Sequence, residues 1–218
     1  MTRVLFPAVL LASMLSACQT APPPAASRPA AAPPEAVGWR READPADVAL
    51  VANVRLAWQR ALENAGKAGF GRAVAAEGRL LAPDAALPFP APSPGSYMCR
   101  TIRFALPARR TPAFAAYKEF FCYVGAEDGL LFLAKQTGTE KPSGYLLDSD
   151  DKKSLVFLGS MASGNAPPTA YGTDRSRDLA GVLERVGPLR FRLVIPRDIS
   201  QGRLDILELV PAPVQIEE

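Results

Sequence analysis

The sequence predicts an α+β protein, mainly β, in which an N-terminal helical segment packs on an antiparallel meander of about eight strands. Three observations carry that expectation. Apolar residues recur at helical spacing across 44–81 and change to alternation after residue 97. A proline-dense crossing over 87–94 separates the two regimes and excludes helix and central strand alike. Beyond it, short apolar runs are punctuated by Gly, Pro and Asp turn signals. A meander of that kind closes as a small barrel or, as the alternative, folds as a sandwich.

Residues 1–17 have the layout of an export signal: Arg3, an apolar run over 4–15, then small residues. They lead into Leu15-Ser16-Ala17-Cys18, the order of a lipobox. In a lipobox the cysteine thiol carries diacylglycerol through a thioether, and the freed amino group is then acylated. About fourteen residues are too few for the roughly twenty of a spanning helix, so the expected membrane partner is reached through lipid on Cys18. At about 0.8 kcal/mol per buried methylene, two acyl chains suffice for stable attachment. The segment resembles bacterial lipoproteins, and Gln19 is not the aspartate associated there with inner-membrane retention. The implied address is exported, lipid-anchored in the cell envelope, at the outer membrane facing the periplasm.

Residues 18–43 read as a Pro/Ala-rich tether. Positions 19–38 hold six prolines and seven alanines, which favours extended polyproline conformations of up to roughly 3 Å per residue. A single globular domain is expected over 44–218, its helical part over 44–82 and its β part over 95–211. Asp44-Pro45-Ala46-Asp47 supplies a capping aspartate, a proline at the first helical position and an acid in the first turn. Val51, Val54, Trp58, Leu62 and Ala65 then form one apolar stripe, and Gly66 ends the helix. A second helical segment over 70–81 carries Phe70, Val74 and Leu81 before Pro83 stops it. Strand character follows at 97–104, 117–124, 130–135, 144–147, 155–160, 179–185, 189–195 and 204–210. Leu189, Phe191, Leu193 and Ile195 alternate with Arg190 and Arg192, the clearest inward and outward pattern in the chain.

With Cys18 used by lipid, Cys99 and Cys122 are the remaining pair, and an oxidising compartment favours joining them as a structural disulfide. It would close a 24-residue loop, worth about 3 kcal/mol by chain entropy. If Cys99 lies opposite Cys122, the connection centres between Arg110 and Thr111, and Met98, Ile102, Phe104, Tyr117, Phe121 and Tyr123 share the face that looks like core. That register also makes Arg100 and Glu119 diagonal neighbours, costly to bury unless they satisfy one another or meet a ligand. A solvated pair at a barrel rim is the plainer reading. Arg175 and Arg177, in the polar stretch 171–178, are candidate anion ligands, although such a run is more often a self-paired loop. Asp148-Ser149-Asp150-Asp151 lacks the glycine and distal glutamate of a standard calcium loop and reads as a charged turn, so no metal or cofactor is expected.

The formal net charge of +3 without a basic tail gives no sign of a nucleic-acid partner. Histidine is absent, which removes the commonest general base and metal ligand near neutral pH. Ser154 beside Lys153 is only sequence-adjacent. The order Gly95-Ser96-Tyr97-Met98-Cys99-Arg100, Phe121-Cys122, Gly144-Tyr145-Leu146, Val156-Phe157-Leu158-Gly159 and Tyr171-Gly172-Thr173-Asp174-Arg175 resembles a family of small exported proteobacterial proteins known only as a domain of unknown function. Ala75-Ala76-Glu77-Gly78 and Arg192-Leu193-Val194-Ile195-Pro196 belong to the same likeness. It implies an exported domain and carries over no activity, ligand or catalytic residue. The expected role is a non-catalytic module for a small apolar or anionic ligand or an envelope protein. The alternatives are a periplasmic protease inhibitor, and a histidine-free hydrolase or envelope-modifying enzyme that would use Glu119, Asp174 or Asp178 as acid and base.

Overall fold

A computed structural model describes residues 38–164 and 166–213. The expected export signal over 1–17, Cys18 and residues 19–37 of the Pro/Ala-rich stretch lie outside the described residues. The helical part comprises α1 (Trp39–Glu42), α2 (Pro45–Ala52), α3 (Val54–Lys67), α4 (Gly71–Ala76) and a single 3-10 turn at Gly78–Leu80. The Asp44 carboxylate accepts the Ala46 N–H at 2.8 Å and Pro45 follows, so α2 starts where its cap residues direct. The single helix expected over 44–66 is two. Asn53 leaves helical geometry at φ −107° and ψ 14°, and its side-chain amide donates to the Ala49 carbonyl at 2.8 Å, competing with the next turn. The break lets the two pieces serve different walls. Val48 and Val51 of α2 pack against Val156, Leu158 and Ala180, whereas Trp58, Ala61 and Ala65 of α3 pack against Ile102, Phe104, Val194, Leu204 and Ile206. Folded structure also begins before residue 44, because Trp39 is buried with the first of these groups.

The strands are β1 (Gly95–Phe104), β2 (Phe114–Ala116), β3 (Phe120–Glu127), β4 (Leu130–Lys135), β5 (Glu140–Asp148), β6 (Ser154–Ser163), β7 (Asp178–Gly187), β8 (Arg190–Asp198) and β9 (Arg203–Pro211). From β3 to β9 each pairs antiparallel with the next, and β1 pairs with both β3 and β9. Eight strands therefore close into a barrel, which decides against the sandwich. The short β2 adds beside the end of β1, where Ile102 faces Ala116. Its register differs by one residue from that of β3, where Tyr97 faces Cys122, and the chain at Tyr117-Lys118-Glu119 takes up the difference.

Strict alternation fills the barrel. Tyr97 and Cys99 of β1, Leu131 and Leu133 of β4, and Leu207 and Leu209 of β9 all point inward. Phe157 is fully buried among them, its ring lying over Gly159. Gly144 and Gly159 face one another, and a Cβ at Gly144 would stand 2.3 Å from the Leu158 carbonyl oxygen. Among the described residues the interior is thus filled by packed apolar side chains.

This register corrects the one expected from the cysteines. Cys99 faces Phe120 and not Cys122; the two thiols are free and buried side by side in the core. The expected disulfide is absent, and burial pushes the Cys99 thiol far above its ordinary pKa. Because the cysteines point inward, the face expected to be core turns outward: Phe121, Tyr123 and Tyr117 are partly exposed on the outer wall. Ile102 and Phe104 also point outward but are buried beneath α3. The same covering explains β8. Phe191, Leu193 and Ile195 point inward as the alternation predicts, while outward-facing Arg192 has no exposed surface because the helical part lies over it.

Candidate functional site

The residues singled out by the sequence do not converge. Arg100 points to the outer wall and pairs with Glu77 and Glu208, and Glu119 is exposed on the break between β2 and β3. The expected Arg100–Glu119 pair does not exist, since it depended on the wrong register. Arg175 lies in the loop before β7, where it holds Asp47 and Asp178 at 2.8 Å each and Asp44 at 3.2 Å. Tyr171 donates to Asp47 in the same cluster, and burial together with that carboxylate pushes its hydroxyl up to about 12. This is a latch between α2 and the β6–β7 loop, one guanidinium shared among three carboxylates. Asp174 is taken up by the Ser176 hydroxyl at 2.7 Å. Arg177 stands apart. Its Nε donates to the Met161 carbonyl at 2.8 Å, and its Nη2 is buried with no partner among the described residues. The turn at 148–151 is also self-satisfied, with Asp150 paired to Arg40 and Asp151 to Ser154. Among the described residues no three potential ligands come together to hold a metal.

A site that the sequence did not single out lies at the barrel end where β1, β4 and β8 finish. The inward rows that are apolar at mid-barrel become charged there: Tyr97, Cys99, Thr101, Arg103 on β1; Leu131, Leu133, Lys135 on β4; Leu209, Leu207, Asp205 on β9. Thr101, Arg103, Tyr117, Lys118, Phe120, Lys135, Gly138, Thr139 and Glu140 enclose a cup of about 410 Å³. A smaller hollow of about 200 Å³ adjoins it across Arg103 and Glu140 and adds Arg197, Arg203 and Asp205. The interrupted β2–β3 strand makes one wall, with the Tyr117 N–H donating to the Thr101 carbonyl at 2.8 Å.

The charges here are unequal in number and in engagement. Arg103 is held through two nitrogens by Asp205, at 2.7 and 3.1 Å, and by Glu140 at 2.7 Å. Its guanidinium keeps the Glu140 carboxyl below the usual carboxylate range. Lys135 makes no ion pair among the described residues. Its ammonium sits 4.0 Å from the centroid of the Phe120 ring, and burial lowers its pKa. The two hollows together carry five cationic side chains against two carboxylates. A recess with such an excess focuses field onto an incoming anion. Alternation alone could have located it, because a lysine that continues an inward apolar row at a strand end marks a charged barrel mouth.

No curated protein and no solved structure gives a match to this chain. A family model matches residues 39–209, from the first buried tryptophan to the closing strand. The chain therefore belongs to the family described as domain of unknown function DUF4893.

Proposed function

We propose that this chain is an envelope-anchored binding module whose barrel mouth captures a small anionic ligand without turning it over. The observation that carries the reading is Lys135, a half-buried ammonium with no carboxylate of its own, facing a cup that also holds Arg103. A cation removed from water and left unpaired is costly, and an anion that enters the cup offsets that cost. The filled barrel interior limits the ligand to the size of the cup, which argues against a long apolar chain. The lipobox at 15–18 and the Pro/Ala-rich stretch that follows support export and attachment through lipid on Cys18. Less supports the hydrolase alternative: Glu119 lies exposed on the β2–β3 break, Asp174 accepts from the Ser176 hydroxyl, and Asp178 is occupied by Arg175 and the Gly172 N–H.

Titration calorimetry with inorganic phosphate tests the reading. The full chain should bind it, and Lys135→Met should weaken binding by about tenfold or more, the value of one charge-assisted hydrogen bond. Binding should also weaken as salt rises, since the site is open to solvent. Equal affinity of the variant and the parent would remove Lys135 from the site.

A further inference from the structure

Lys135 has the surroundings of an amine that reacts as well as attracts. It ends the inward row on β4, with the Phe120 ring on one side and the cup on the other. Gly138, in the turn leading to β5, holds φ +92° and leaves the space above the nitrogen open. A Cβ at that position would stand 3.4 Å from Lys135 Nζ and 3.5 Å from its Cε. Arg103 brings a second cation into the same cup, and burial lowers the lysine pKa, so more of the amine is unprotonated than on an exposed lysine. An unprotonated lysine in a recess is the usual nucleophile toward carbonyl carbon.

We infer that Lys135 forms a reversible imine with small anions that carry an aldehyde or ketone, the cationic rim holding the anionic group while the amine takes the carbonyl. This inference rests on the anion-binding reading of the cup. The amine nitrogen adds to the carbonyl carbon, and one of its protons ends on the former carbonyl oxygen, giving a carbinolamine. That hydroxyl leaves as water together with the remaining nitrogen proton, and the C=N bond forms. No oxidant or reductant takes part.

The test treats the full chain with pyridoxal phosphate, an aldehyde bearing a phosphate, and fixes any imine with cyanoborohydride before peptide mass spectrometry. The adduct should fall on Lys135 in large excess over Lys118, Lys141, Lys152 and Lys153, and inorganic phosphate should suppress it. Lys135→Arg, which keeps the charge and removes the amine nucleophile, should abolish that adduct. Gly138→Val, which fills the space above Nζ, should reduce it. Label spread evenly over the lysines, or unchanged in total by Lys135→Arg, would overturn the imine. If phosphate still binds by calorimetry in that case, the anion site stands and only the covalent step falls; if phosphate does not bind either, both fall.

Discussion

A guanidinium with no exposed surface must be answered on every side, and Arg192 is. Its Nε donates to Glu184 at 2.7 Å, its Nη1 to the carbonyls of Leu80 and Ala82 at 2.8 Å each, and its Nη2 to that of Pro83 at 3.0 Å, while Trp58 lies 4.3 Å from it. These carbonyls belong to the segment that follows the last helix, so this one residue fastens the helical part to β8. Arg192→Met should cost about 3–5 kcal/mol in denaturant unfolding, because Glu184 and the carbonyls would stay buried without a donor. Replacing Glu184 as well should recover part of that loss. Residue identity alone did not reveal this role. Arg192 reads as an outward, solvated arginine on an alternating strand, and only the helix laid over that face changes the meaning. Lys135 shows the converse, since its alternation was legible and its inward direction followed from the neighbouring leucines. Arg100 and Glu119 were misplaced for a single reason: the cysteines were assumed to face one another, and an error in register reassigns every side chain that depends on it.

At the level of elements, the sequence was readable wherever periodicity ran long. Eight of the nine strands overlap the runs of strand character, and Asp44-Pro45 marks the start of α2. The misses are short. β2 has three residues, too few to show a period, and the break at Asn53 depends on two walls that no local pattern contains. The β8–β9 turn shows how closely elements meet. Gly202 has φ +63°, and a Cβ there would lie 2.7 Å from the backbone of Arg60 and Ala61 in α3. Gly202→Ala should therefore destabilise the fold by about 1–3 kcal/mol through crowding, beyond any backbone strain. Gly172, at φ +83° with open space around it, is the control: Gly172→Ala should cost only the left-handed strain of about 1–2 kcal/mol. Chemical unfolding of the two variants side by side separates the effects.

At the scale of the molecule, a filled barrel with both thiols inside makes those thiols reporters of its opening. Neither Cys99 nor Cys122 should react with a thiol reagent in the native protein, and both should become reactive on denaturation at the rate the barrel unfolds. Rapid labelling of either thiol under native conditions would contradict the packed interior. The seam between β1 and β9 has a further consequence, in time rather than in space. A chain delivered from its N-terminus presents α3 before any strand, yet of the wall that the stripe around Trp58 covers, β1 supplies only Ile102 and Phe104 until β8 and β9 exist. β1 likewise waits for β9, more than a hundred residues later in the chain, before its second side is paired. The barrel cannot close, nor α3 be fully covered, before the last strand arrives, so the final step of folding is a slow, long-range event.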